Sequence, residues 1–377
     1  MKIVIIGGGA AGFFAAIAAK QTYPHAEVIL HERTAKVLSK VRISGGGRCN
    51  VTHACFDPRQ LVKNYPRGSK ELLGPFHRFQ PADTIQWFLE RGVELKTEED
   101  GRMFPVTDSS QTIIDCLLKE ANNVGVNIQL QSKIALDTID ADRLILATGS
   151  AKSGWDIAAK LGHTIQPPVP SLFTFNIPHF PLEALAGVSL EPVRLSLDGT
   201  KYIQEGPLLI THWGFSGPAA LKLSAFGARY LSEQNYEVEL CIDWLPHSTV
   251  EELLSLLMKE NPQKKLEATR CIPLPKRLWK FLCGDGSQTL GCMSKAAKRQ
   301  LCEKLKSDCY QVKGKTTNKE EFVTCGGVTL SEVDFRTMES KIHPGLYFCG
   351  EILDIDGVTG GFNFQNAWTT GWIAGTA

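Results

Sequence analysis

Apolar positions gather at the two ends of the chain in a rhythm of short strand, glycine turn and helix. "KIVII" at 2–6 is a β-branched run read as a buried strand, and the small-residue stretch from 10 to about 20 reads as a helix. "EVILHER" predicts a second strand, "VGVNIQLQSKI" another, and "ADRLILATGS" (141–150) one that stops at Ala-Thr-Gly. Near the end, 346–349 predict a strand, followed by a Gly-Glu turn, a loop and a last helix. That helix starts near Phe362 and carries Gln365, Trp368 and Trp372. The middle has a different texture. After the proline-rich boundary "QPPVPSLFTFNIPHFP" (166–181), "VRLSLDG", "KYIQEGPLLI" and "YEVELCIDW" predict short strands, with Asp198-Gly199 marking a hairpin. From 249 to about 306 the spacing turns helical, opened by Ser248 and Thr249 with Glu251 and Glu252 behind them. "CYQVKG" and "EEFVTCGGV" then return to strand.

The first strand–helix unit carries GxGxxG as Gly7, Gly9 and Gly12, and the second strand runs into Glu32, 25 residues after Gly7. Each part has a physical use. The first glycine makes the tight turn, the second lets backbone approach a pyrophosphate, and the third lets the helix lie close on the strand. The helix amides with Ala10 and Ala11 face the phosphate charge. Glu32 accepts hydrogen bonds from an adenosine ribose, and an acidic side chain there disfavours a 2′-phosphate. A nucleotide fold that starts at residue 1 and closes at the C-terminus points to FAD more than NAD. In flavoproteins of the glutathione-reductase type a late strand ends in Gly-Asp beside the ribityl chain, and Gly350-Glu351 stands in that place. Gly360, Gly361, Phe362 and Asn363 would aim the positive end of the last helix at the flavin N1/C2 carbonyl.

Between these ends lies "VRISGGGRCNVTHAC" (41–55). It has four readings: phosphate cradle, redox disulfide, metal site or plain turn. The cradle is favoured, because Gly45 to Gly47 can present consecutive amides to anionic oxygen and Arg48 adds charge. Cys49 and Cys55 have the spacing C-x5-C rather than the C-x4-C of disulfide reductases, and Cys49, His53 and Cys55 fall short of a four-ligand metal set. In the middle of the chain, "THWGFSGP" (211–218) offers His212 as a proton shuttle, and "GRMFP" offers Arg102 as an anion contact.

Taken in order, "IGGGAAG", "ISGGGRCNVT", "GRMFPVTDSSQTIIDCLL", "LATG", "LGHTI", "GPLLITHWGFSGPAALKLS", "VTCGGVTLSEVDFRTMESK" and "GLYFCGEILDIDGVTGGFNFQNAW" resemble the YhiN/BaiN-like family of bacterial flavoproteins. The likeness runs over almost the whole length. It implies an α/β fold: a Rossmann-like FAD domain of the glutathione-reductase type (1–165 and 326–377), an inserted β-rich, barrel-like domain (166–246 and 309–325) and a helical insert (247–308). It implies an FAD-dependent oxidoreductase, aminoacetone oxidase-like in part, acting on a small organic substrate by hydride transfer at flavin N5. The electron partner would be NAD(P)H or oxygen. The expected cofactor contacts are Gly7, Gly9, Ala10, Ala11, Gly12, Glu32, Arg33, Lys40, Ser44, Gly46, Gly47, Arg48, Cys49, Asn50, Ile134, Ala147, Thr148, Gly149, Gly350, Glu351, Asp356, Gly360, Gly361, Phe362 and Asn363. The Ile134 backbone stands where relatives hold the adenine edge. Cys49 and His212 are the catalytic candidates, and no metal is expected. Two stretches depart from the family: "ALDTIDAD" is short, and "SAKSGWD" replaces a longer loop after "LATG".

Composition trims this picture. The chain has 377 residues, 43% hydrophobic and 21% charged, enough for two or three domains. Lys plus Arg (41) and Asp plus Glu (40) leave a formal charge of +1, so no whole-molecule footprint for nucleic acid exists and no nucleic-acid partner is expected. Eleven cysteines without paired spacing read as scattered free thiols in a reducing compartment. Glycines break the first apolar run where a signal peptide would continue, and no run reaches the ~20 residues of a membrane span. The expectation is a soluble, cytoplasmic protein. Two alternatives of other classes stand beside the oxidoreductase: a flavin-binding redox sensor without turnover, and an RNA-modifying flavoenzyme.

Overall fold

In the computed structural model, residues 1–133, 139–269, 272–284, 286–316 and 323–377 are described. The β-branched core of the first strand (Lys2–Ile6) is buried on both faces, with Ile3, Val4 and Ile5 almost without solvent contact. Such a strand needs a neighbour on each edge and helices above and below. It pairs in parallel with Glu27–His31 on one side and Arg143–Leu146 on the other. Those strands pair in turn, also in parallel, with Asn127–Gln129 and Leu346–Phe348. A short antiparallel hairpin (Val333–Asp334, Glu339–Ser340) completes a seven-stranded sheet.

The helix after the glycine turn (Ala10–Thr22) and the final helix (Phe362–Thr376) pack against each other through small residues. A Cβ on Gly371 would lie 2.5 Å from the Ala11 carbonyl oxygen, and one on Gly375 would lie 2.4 Å from that of Ala15. The sheet therefore carries a tightly paired N- and C-terminal helix, the Rossmann-like arrangement the two ends of the sequence predict.

The chain folds into two compact units: Met1–Ser171 with Asn318–Ala377, and Leu172–Thr317. The proline-rich stretch is not a bare linker. Ile165–Ser171 is a strand paired antiparallel with Val323–Val328, and it leaves the first unit at its end. The prolines are tolerated because this ribbon has only two strands.

The second unit is a seven-stranded antiparallel sheet with helices. Asp198-Gly199 does turn the chain between Ser189–Leu197 and Ile203–Ile210. The helices Val250–Glu260, Lys276–Leu282 and Lys295–Lys306 share one core with the sheet, through Leu254, Trp279 and Leu305 beside Phe215, Leu240 and Trp244. The reading of scattered free thiols needs one correction. Cys241 and Cys309, 68 residues apart, sit directly opposite on neighbouring antiparallel strands and form a disulfide. Strand pairing brings them together, and no local spacing announces it. Among the described residues, no helix is long and apolar enough to cross a membrane.

Candidate functional site

The glycine turn shows which of its three glycines is set by packing. Gly7 has φ +116°, and a Cβ there would stand 2.3 Å from the Ala147 carbonyl oxygen. A Cβ on Gly12 would stand 1.9 Å from the Gly7 carbonyl oxygen. Gly9 is different: it precedes the helix, and a Cβ there meets nothing within 4 Å. The outer glycines thus close strand on helix, while the middle one faces open space at the helix N-terminus beside Ala10 and Ala11. Glu32 follows the second strand, and its carboxylate accepts from the Gly8 N–H (2.9 Å) and the Thr34 N–H (2.8 Å). Arg33 beside it is exposed.

The "SGGGRCN" segment is partly helical. A helix begins at Ser39, but Ser44, Gly45 and Gly46 depart from helical geometry, and all three glycines have positive φ. Gly45 packs against Phe104, whereas a Cβ on Gly46 or Gly47 would meet nothing within 4 Å. The Arg48 guanidinium donates to Glu98 at 2.6 Å, lies 3.5 Å from Asp108 and covers the Phe104 ring at 3.9 Å. Arg102 is likewise engaged by Asp100 and Glu98. Cys49 is fully buried, and burial pushes its thiol up to about 12, so it is not a thiolate at neutral pH. Cys49 and Cys55 are both free thiols. Asn50, with its amide oxygen turned to the Gly361 N–H (3.0 Å), ties this segment to the start of the final helix.

A polar cluster forms around Glu351. Lys40 pairs with its carboxylate and donates to Ser150 Oγ at 3.2 Å, while the Thr324 N–H donates to Glu351 at 3.1 Å. Gly149 lies alongside, with its Cβ position 3.8 Å from Glu351 Oε2. Gly350 donates its N–H to Thr370 Oγ1 at 2.9 Å. Two hydroxyl oxygens, on Thr148 and Thr324, are buried with no hydrogen-bond partner among the described residues. Residues from 40, 148–150, 324 and 350–351 therefore converge, although they are scattered along the sequence.

Asp356 is held in a second polar cluster. It is fully buried, with Arg67 pairing through Nε at 2.5 Å and a second N–H, and Ser171 Oγ donates at 2.8 Å. Burial pushes its carboxyl up, while Arg67 and Ser171 pull it the other way. Asn363 closes the preceding loop by exchanging two hydrogen bonds with the Gly357 backbone, at 2.8 and 2.9 Å. Phe362, behind Gly360 and Gly361, stacks on the His53 ring at 4.7 Å. Ile134 lies outside the described residues. His212 is exposed on a turn of the second unit.

Sequence reasoning missed the network beneath the final helix. Gln365 accepts from Thr52 (2.6 Å) and Thr84 (3.0 Å) and donates to Thr369, while Trp368 Nε1 donates to the Val51 carbonyl. The available signal was the run of polar residues inside an apolar final helix, "NFQNAWTT". These bonds hold the helix start against the segment that follows "SGGGRCN".

A family model described as the HI0933-like protein Rossmann domain matches residues 1–377. The chain is 32% identical over 405 residues to the ribosomal RNA dihydrouridine synthase of Escherichia coli (strain K12), covering 98% of this chain and 96% of the relative. It is 30% identical over 400 residues to the protein of the same name from Haemophilus influenzae (98% and 96% covered). It is also 30% identical over 407 residues to the 3-dehydro-bile acid delta(4,6)-reductase of Clostridium scindens (100% and 98%).

Proposed function

The chain belongs to the HI0933-like Rossmann-domain family of FAD-dependent oxidoreductases, and from that premise we propose that it reduces a carbon–carbon double bond conjugated to a carbonyl. The observation that carries this is the bond change shared by relatives with dissimilar substrates. Making dihydrouridine saturates the uracil C5=C6 bond beside a ring carbonyl, and a delta(4,6)-reductase of a 3-dehydro bile acid saturates alkenes conjugated to a ketone. Both are electron-poor alkenes. The carbon remote from the carbonyl gains a hydride, and the carbon next to it gains a proton.

FAD, when bound, would supply hydride chemistry at N5, with NAD(P)H as the proposed electron donor. The residues present suit that cofactor. The open space at Gly9, Gly46 and Gly47 admits phosphate oxygens to backbone amides, and Glu32 offers its remaining lone pairs to a ribose. The unpartnered Thr148 and Thr324 hydroxyls and the Lys40–Glu351 pair give a polar lining beside Gly149 and Gly350, suited to a ribityl chain. The amides at Gly361 to Asn363, at the positive end of the final helix, would stabilise negative charge on a bound flavin. Arg48 and Asp356 serve this reading indirectly, by fixing the loops that carry Gly47 and Gly357. Cys49, buried and protonated, packs rather than reacts.

A second reading concerns the substrate. Two of the three relatives named above share a name for modification of ribosomal RNA, which favours a uracil base in RNA over a small unsaturated ketone. The near-zero net charge does not exclude it, because a local patch suffices. All three relatives are named as enzymes, and no observation favours a sensor without turnover.

The test is anaerobic. The flavin is bleached with NADPH or NADH, then 2-cyclohexenone or an unmodified ribosomal RNA transcript is added. Reoxidation by either acceptor is the expected result. Reoxidation by oxygen alone would overturn the reductase and leave an oxidase.

A further inference from the structure

The motif "THWGFSGP" is not absorbed by the flavin site, and its placement is unusual. Thr211 donates both its N–H (2.8 Å) and its hydroxyl (2.9 Å) to the Gly214 carbonyl, closing a turn that leaves His212 and Trp213 outside. Trp213 is 54% exposed, and its ring centroid lies 5.9 Å from that of His212. The turn is fixed from below, since a Cβ on Gly214 would stand 1.9 Å from the Phe175 carbonyl oxygen. Two residues after the tryptophan, Phe215 is fully buried and packs on Trp244, at the entry to the helical segment. A rigid turn that offers two aromatic faces to solvent is a stacking platform.

That helical segment carries the second observation. Residues 247–308 hold twelve Lys and Arg against seven Asp and Glu, a formal charge of +5 in a chain whose total is +1. The cations are exposed on two adjacent helices: Lys276 and Lys280 on one, Lys295 and Arg299 on the other, joined where Lys304 lies over Phe281 at 5.3 Å. Their carboxylate partners are loose, with Lys280 3.6 Å from Glu267 and Arg299 3.4 Å from Glu303. Exposed pairs of this kind are weak and screened by salt.

We propose that the second unit is an RNA-binding surface: the His212–Trp213 turn stacks on an unpaired base while the basic helices between 250 and 306 hold the phosphates. This deepens, and rests on, the RNA reading of the substrate given above. Unpaired bases are what aromatic side chains recognise in RNA, and cationic helices supply the sequence-independent grip.

The test uses the full-length flavoprotein and two probes, a fluorescein-labelled 12-mer of oligouridylate and an unmodified ribosomal RNA transcript, from 50 to 200 mM KCl. Trp213→Ala is expected to weaken binding about tenfold, as expected for one lost stacking contact, without changing the salt dependence. Trp213→Phe should recover most of that loss. Lys295→Glu with Arg299→Glu is expected to flatten the slope of log affinity on log salt by about 1.4, or ~0.7 per phosphate contact. An unchanged flavin spectrum and melting temperature control for folding. Wild-type affinity in Trp213→Ala, or an unaltered slope in the charge-reversed protein, overturns the surface. The two readings fail separately. A protein that reduces 2-cyclohexenone but binds neither RNA loses the surface together with the RNA reading of the substrate and keeps the reaction. One that binds RNA but reduces no conjugated alkene loses only the reaction.

Discussion

Gly9 and Gly12 differ by three positions and by what surrounds them. A methyl on Gly12 would stand 1.9 Å from the Gly7 carbonyl oxygen, so strand and helix must part; overpacking of this kind costs about 1–3 kcal/mol. A methyl on Gly9 meets no atom of the described residues within 4 Å. Gly12→Ala is therefore expected to lower the melting temperature of the cofactor-free protein by about 5 °C, and Gly9→Ala to leave it unchanged. The order reverses for cofactor. Gly9→Ala should retain FAD about tenfold more weakly, read by equilibrium dialysis, because its methyl fills space reserved for phosphate. Equal FAD retention in Gly9→Ala and wild type would remove the pyrophosphate from that position.

At the scale of elements, the first unit is held by contacts between segments far apart in sequence. His163, just beyond the helix Lys152–Lys160, is pinned to the edge hairpin by Glu332 at Nδ1 (3.0 Å) and Ser340 at Nε2 (2.7 Å). Burial pushes this imidazole below its usual 6.5, with Glu332 pulling the other way, so the folded protein holds it neutral. The unfolded chain takes up the proton first as pH falls. The stability contribution is thus complete above about pH 6.5 and is lost as pH drops from there toward the lower folded value. The melting temperature should decline between pH 7.5 and 5.5, and His163→Gln should make that decline shallower. Identical slopes would show that His163 does not couple to folding.

For the molecule as a whole, the Cys241–Cys309 disulfide closes the loop that contains the helical segment, all within the second unit. Closing a loop of that length contributes about 4 kcal/mol in the chain-entropy model. Dithiothreitol should therefore lower an unfolding transition reported by far-UV circular dichroism while leaving the transition that releases FAD in place. Loss of flavin at the reduced-protein transition would mean that the two units unfold as one.

The sequence by itself determined the nucleotide fold. Its signals are local: β-branched strands, glycines at fixed offsets and an acidic residue after the second strand, each acting within about thirty residues. It also marked the final helix, because the Gly-Gly step into it and the start near Phe362 are readable without a partner. Only the tertiary structure decided what pairs with what. Arg48 is held by Glu98, Asp356 is buried on Arg67, and Lys40 meets Glu351 across 311 positions. The eleven cysteines gave no hint that Cys241 and Cys309 face each other. Charge partners and disulfides depend on strand register and chain crossings, which are set by burial of the whole core and leave no periodic trace in the residues concerned.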